Sequence, residues 1–259
     1  MLTHLQQREI FHLMFLRHFC PKVKTNTLAL KGGSNLRFFF NSPRYSEDMD
    51  LDIKDIETFQ LKDLVMTLLE SSSLALALRP FQIEKIVPPN IQAAKQTDTT
   101  QRFKVHLITS ASQDLFTKIE FSKRRLGNDV IVERVRDEVL APYKLHPLQI
   151  PHYPAQAAFA QKIKALAERS ETQARDIFDL FLLSTFIDKN TLAQNKILSH
   201  DLCRKAQDNI FKISFDVFRD TVIDYLNEDE KSVYQTASRW EELQLNVSQI
   251  IESIFGTQR

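Results

Sequence analysis

Residues 28–53 read LALKGGSNLRFFFNSPRYSEDMDLDI, and they hold two of the four glycines in a chain of 259 residues. The apolar run Thr27 to Leu30 reads as a buried strand ending in Lys31-Gly32-Gly33, a tight turn of the kind that needs glycine where φ is positive. Ser34 to Phe40 then reads as a helix, broken by Asn41-Ser42-Pro43. From Asp48 the alternation Asp-Met-Asp-Leu-Asp-Ile predicts a half-buried strand. Period 2 sends Met49, Leu51 and Ile53 to one face and Asp48, Asp50 and Asp52 to the other, along one open edge of a sheet.

Working outward, Leu5, Ile10, Leu13, Met14 and Leu16 follow a helical period, so residues 3–19 form an amphipathic helix closed by Pro21. Residues 58–78 carry a second helical pattern, and 81–87, 102–109 and 115–122 are strand candidates. Strand signals stop after Val135, and from about Ala155 the chain is helical in pattern, with breaks near Ser170, Lys189-Asn190 and Asn227. The expectation is an α/β domain over residues 1–140 and a helical domain over 141–259, joined through APYKLHPLQIPHYP at 141–154.

Composition narrows the function classes. Lys plus Arg number 34 against 33 for Asp plus Glu, so no global basic field marks a nucleic-acid binder. Cys20 and Cys203 stand far apart, without zinc or disulfide spacing, which fits a reducing compartment. No stretch approaches the roughly 18 apolar residues of a membrane span, and the expectation is a cytoplasmic protein with no membrane partner.

Gly32-Gly33-Ser34, between a strand and a helix, exposes backbone N–H groups where an anion is favoured. It is neither a Walker A loop nor a dinucleotide fingerprint, since GxxxxGK[ST] and GxGxxG are both absent. The run DMDLD fails as an EF-hand, because Ile53 and Phe59 stand where Gly and Glu belong. It reads either as a charge-blunted edge strand or as a pair of carboxylates converging on Mg²⁺ (or Mn²⁺). Lys162, Arg169 and Asp176 fall at intervals of seven, which on one continuous helix would be a solvated face of ion pairs.

Glycine-serine at a helix start with a DxD strand 14 residues later is the arrangement of the nucleotidyltransferase fold related to DNA polymerase β. LKGGSNL followed by RYSEDMDLDI resembles the signature of the AbiEii/AbiGii nucleotidyltransferase toxins, KGG[TS]xL then R[FY]SxDxDL. FTKIEFS at 116–122 is similar to that family's later acidic strand, and FAQKIKALAERSETQARDIFDLFLL at 159–183 to its helical motif. Asn35, where the family has a small residue, and the third aspartate depart from the pattern without removing a group the chemistry needs.

The resemblance implies a mixed α/β nucleotidyltransferase domain joined to a helical domain, with the active site between them. It implies transfer of a nucleoside monophosphate from an NTP to an acceptor hydroxyl, with the tRNA 3′ end as one acceptor and a cognate antitoxin as partner. Asp48 and Asp50 would hold the metal; Gly33 and Ser34, flanked by Lys31 and Gly32, would cradle the phosphates. Arg44, Lys162 and Asp179 would join the nucleotide site, and Asp176 and Glu120 would complete the catalytic group. Asp52 lies too far from the turn to ligate. A catalytically silent nucleotide-binding module and a metal-dependent nuclease are the alternatives. Lys123-Arg124-Arg125 would guide an RNA acceptor or serve solubility, Phe38-Phe39-Phe40 would pack the helix behind the turn, and no histidine has metal or triad spacing.

Overall fold

Among the described residues, eight strands form one sheet. The structure is a computed structural model that describes residues 2–90, 96–123, 126–188, 192 and 198–255. The chain divides into two units, one made of the chain up to Phe39 with Tyr45–Tyr153, the other of Phe40–Arg44 with the chain from Pro154 onward.

The first unit carries the strands β1 (Leu28–Lys31), β2 (Asp48–Ile53), β3 (Ile83–Val87), β4 (Gln96–Thr97), β5 (Thr100–Thr109), β6 (Asp114–Ser122), β7 (Ile131–Arg134) and β8 (Gln149–His152). They lie in the order β3-β5-β6-β2-β1-β8-β7, with β4 added beside β5. β2 runs antiparallel to β1 and parallel to β6, so it is an interior strand and not an edge. The edge-strand reading of DMDLD is therefore excluded, because both hydrogen-bonding sides of the strand are taken.

Alternation fixes the two faces of the sheet. Leu28, Leu30, Met49, Leu51, Phe103, Val105, Leu107, Ile119 and Phe121 are fully buried on one face. Helix α1 (His4–Phe19) covers that face, and its Phe19 ring meets Phe121 at 5.2 Å between centroids. Each such side chain contributes about 1.5–3 kcal/mol by leaving water. Thr3 and Gln6 close the start of α1 in a capping box. The helix is buried on more sides than an amphipathic reading allows: Gln7, Glu9 and His12 are also enclosed. Helix α2 (Gly32–Phe39) begins at the glycines themselves, and Phe38, Phe39 and Phe40 are all buried.

The helical stretch expected over 58–78 is two helices, α3 (Thr58–Leu69) and α4 (Ser72–Leu78), because Ser71 caps a new start on Leu74 N–H. The strand expected from 81 starts at Ile83, after a single turn at Arg79–Phe81. A short helix α5 (Asp137–Leu140) precedes β8. β8 corrects the expectation that strands end at Val135 and that 141–154 is a linker. Its Ile150 and Pro151 are buried, and Pro151 sits opposite Val132 of β7. A four-residue strand containing proline offers no alternation to read, so only its partners reveal it.

The second unit is helical: α6 (Ala155–Glu168), α7 (Ala174–Leu183), α8 (His200–Ile210), α9 (Phe215–Thr221), α10 (Glu228–Lys231) and α11 (Ala237–Phe255). Its core centres on Trp240, stacked on Phe218 at 4.2 Å, with Phe178 beside Phe218 and Tyr234. The Trp240 indole N–H donates to the Ile213 carbonyl at 3.0 Å, satisfying the one polar atom of a buried ring. The break near Ser170 falls between α6 and α7; the one near Lys189-Asn190 lies outside the described residues. No single helix among the described residues is long and apolar enough to cross a membrane.

Candidate active site

The face of the sheet opposite α1 is polar, and register determines which charges meet on it. Asp48 lies across from Lys118, Asp50 from Glu120 and Asp52 from Ser122, all in parallel pairing. Lys31 of β1 stands opposite Asp50, while Arg102 and Lys104 of β5 stand opposite Glu120 and Lys118. These four acids and four bases share one face. Lys118 Nζ lies 2.9 Å from Asp48 Oδ2, Lys31 Nζ 2.5 Å from Asp52 Oδ1, and Arg102 Nε 2.5 Å from Glu120 Oε2. Asp50 is the carboxylate of this face that no cation approaches within ion-pair distance among the described residues. Burial, and then the Glu120 carboxylate beside it, raises its carboxyl above the ordinary value, against the pull of Lys118 and Lys31.

The glycines bring a helix start up against Asp50. Gly32 has φ of 68°, and a Cβ built on it would stand 2.9 Å from Asp50 Oδ2. Any side chain here meets both backbone strain and a carboxylate. Ser34 is buried, and its hydroxyl donates to the Asp48 carbonyl at 3.1 Å, tying the first turn of α2 to the start of β2. Ser46 donates to the same carbonyl at 2.7 Å. Asn35 is fully buried, donating to the Tyr153 carbonyl at 2.9 Å and facing His152 Nδ1 at 2.9 Å. A small residue could make neither contact, which accounts for asparagine at this position.

Asp52 is enclosed: besides Lys31, the Tyr153 hydroxyl donates to its Oδ2 at 2.7 Å, and Gly127 N–H donates to that hydroxyl at 3.0 Å. Beyond Gly127 a recess of about 330 Å³ is lined by Thr25, Asn26, Lys54, Leu126, Gly127, Asn128, Val130 and Val132. Lys123 bonds Thr58 Oγ1 at 3.2 Å, whereas Arg124 and Arg125 lie outside the described residues.

In the helical unit a second charged cluster forms. Asp176 and Asp179, three apart on α7, are both fully buried. Lys162 of α6 reaches Asp176 at 3.0 Å and Asp179 at 2.6 Å; Arg169 reaches Asp176 at 3.2 Å. Arg44 is buried and reaches Asp179 at 3.2 Å. Burial alone would raise the Asp179 carboxyl, but the Arg44 and Lys162 cations hold it below its ordinary value. The solvated-face reading of Lys162, Arg169 and Asp176 is excluded, because the helix ends at Glu168 and restarts at Ala174.

The structure therefore gathers Lys31, Gly32, Gly33, Ser34, Asp48, Asp50 and Glu120 within the first unit, and Arg44, Lys162, Asp176 and Asp179 within the second. Lys118, Arg102 and Tyr153 were not among the site residues read from the sequence. Lys118 had a usable signal, since alternation in LFTKIEFS puts it on the Glu120 face. Tyr153 had none, because it comes from a segment read as linker. The buried histidines are held by polar neighbours: His12 Nε2 lies 2.8 Å from Thr117 Oγ1, and burial followed by the Arg8 charge lowers its pKa to about 3.

Among the described residues no three His, Cys, Asp or Glu side chains are gathered as a self-sufficient metal cage. Mg²⁺ does not ask for one, since it takes one or two carboxylates and fills its octahedron with water and phosphate oxygens. Asp48 and Asp50, alternate residues on one strand face with a helix start beside them, are a donor set of that chemistry.

Comparison with known proteins agrees with the fold. Among curated proteins no relative matches the chain. Solved structures of similar fold include a proposed nucleotidyltransferase from H. pylori, at 19% identity and TM-score 0.60 over 99% of this chain and 97% of that one. JHP933 from Helicobacter pylori has 18% identity and TM-score 0.58 over 97% and 95% of the two chains. MenT4, a nucleotidyltransferase toxin from Mycobacterium tuberculosis, has 15% identity and TM-score 0.59 over 97% and 83%. Residues 15–255 match the family described as nucleotidyl transferase AbiEii toxin of the type IV toxin–antitoxin systems, and the chain, a nucleotidyltransferase, belongs to that family.

Proposed function

We propose that the protein transfers a nucleoside monophosphate from an NTP to an acceptor hydroxyl, with the 3′ end of a tRNA as acceptor, and that a cognate antitoxin restrains it. One observation carries the reading: Asp48 and Asp50 stand on one face of an interior strand, beside Glu120, with the glycine start of α2 against Asp50.

The backbone N–H groups at the start of α2, Gly33 and Ser34 among them, receive the triphosphate, because a helix start favours an anion and glycine lets it approach. Asp48 and Asp50 would hold a divalent cation, Mg²⁺ or Mn²⁺, which when bound neutralises the triphosphate and the departing pyrophosphate. Glu120, oriented by Arg102, takes the proton from the acceptor hydroxyl. The acceptor oxygen then forms its bond to the α-phosphorus as the bond to the bridging oxygen breaks and pyrophosphate leaves. For Lys162, Asp176, Asp179 and Arg44 the proposed role is to hold α6, α7 and the segment before β2 in one arrangement, since each charge is already met by another of the group. In this mechanism Lys162 and Arg44 make no direct phosphate contact.

The test is incubation of the purified protein with Mg²⁺, each NTP radiolabelled at the α-phosphate in turn, and total tRNA, beside Asp48→Ala and Asp50→Ala. Label on RNA in the wild type, reduced more than about a hundredfold in both folded variants, is the expected result. Shortened RNA without NTP would replace transfer by hydrolysis, and retained transfer in either variant would remove the two-aspartate site.

A further inference from the structure

Among the described residues, Lys118 is the basic residue of the sheet face whose ion pair is with a proposed metal ligand. Its ammonium lies 2.9 Å from Asp48 Oδ2, whereas Lys31 is engaged by Asp52 and Arg102 by Glu120. An ammonium and a divalent cation on one carboxylate repel each other, so a metal ion on Asp48 weakens its hold on Lys118.

The neighbour on the other side sharpens the conflict. Lys104 of β5 stands directly across from Lys118, and like charges placed opposite one another destabilise a strand pair. With Asp48 beside it, Lys118 is neutralised. Once Asp48 turns to a metal ion, Lys118 faces Lys104 and the new cation together and needs another anion. The triphosphate supplies one, and a lysine stem has the rotatable bonds to reach for it. The pair is partly exposed, with side-chain accessibilities of 25% and 33%, so neither group is locked in place by packing.

We propose that Lys118 changes partners on binding: it pairs with Asp48 when no metal is bound, yields it to the divalent ion, and turns to the nucleotide phosphates. Metal and nucleotide consequently bind cooperatively, and the coupling passes through this one side chain. The inference rests on the reading of Asp48 and Asp50 as metal ligands.

Mn²⁺ binding, followed by electron paramagnetic resonance, tests it in wild type, Lys118→Met, Lys118→Arg and Asp48→Asn, with and without an α,β-methylene NTP. Thermal melts establish that each variant is folded. The expected result is that Lys118→Met binds Mn²⁺ alone at least about fivefold more tightly than wild type, and that the nucleotide enhances its Mn²⁺ affinity less by the same factor. Lys118→Arg, which keeps the charge, follows wild type. Equal Mn²⁺ affinity and equal enhancement in wild type and Lys118→Met overturn the role of Lys118 alone. No Mn²⁺ binding in either protein, with or without nucleotide, overturns the metal reading and this inference with it.

Discussion

Gly32 and Asp50 are packed so closely that a methyl group on Gly32 would stand 2.9 Å from Asp50 Oδ2. The contact joins two segments that are 18 residues apart in the chain, the start of α2 and the middle of β2, and both belong to the proposed triphosphate site.

Gly32→Ala should therefore fail twice. A left-handed backbone at a non-glycine residue costs about 1–2 kcal/mol, and the new methyl displaces the Asp50 carboxylate. The expected outcome is a lower midpoint of thermal unfolding and at least a tenfold loss of label transfer. A variant with wild-type stability and wild-type transfer would show that the contact is unimportant.

Asp52 is held by Lys31 and Tyr153, and a structural part is expected for it. Tyr153→Phe removes a hydrogen bond to a carboxylate, for a loss of about 1.5–3 kcal/mol in urea unfolding. Asp52→Asn should retain transfer within about an order of magnitude of wild type, unlike Asp48→Asn. If Asp52→Asn is as inactive as Asp48→Asn, the third aspartate belongs to the chemistry.

Arg44 and Asp179 form a pair with side-chain accessibilities of 6% and 0%. Breaking one side of a buried pair leaves the other charged and enclosed, at a cost of about 3–5 kcal/mol. Asp179→Asn should show that loss by denaturant titration, and Arg44→Met with Asp179→Leu should recover part of it. Additive losses in the double variant would mean that the two charges do not interact.

His12 makes stability depend on pH. Its pKa is lowered to about 3 in the folded chain by burial and then by Arg8, against an ordinary 6.5. Between those values the unfolded chain binds the proton and the folded one does not, so this contribution is present above pH 6.5 and is lost as pH falls toward 3. The full difference is up to about 5 kcal/mol. Urea midpoints taken from pH 7 down to pH 4 should fall in the wild type and fall less in His12→Gln. Parallel curves would place the acid sensitivity elsewhere.

The sequence by itself determined the local pieces around Asp48. Strict alternation in DMDLDI left one pleat face apolar and the other acidic, and the structure has Met49, Leu51 and Ile53 buried on that pleat. Gly32 marked a positive φ, and the charged tract 159–183 held its break in the segment between Glu168 and Ala174. Motif order also carried the family, because KGGS, DMD and the later helical motif recur in a spacing that chance seldom assembles.

Tertiary structure alone decided what those pieces meet. That β2 is interior, that β8 extends the sheet through a proline-containing segment, and that residues 40–44 join the helical unit all follow from long-range pairing, which period and propensity do not encode. The same holds for charge. Asp48, Asp50 and Glu120 look from the sequence like bare carboxylates, whereas strand register sets Lys118 on Asp48 and Arg102 on Glu120 and leaves Asp50 beside the glycine helix start. Side-chain neighbours across a sheet are set by hydrogen-bonded register between distant segments, and a shift of one residue would give every carboxylate a different partner.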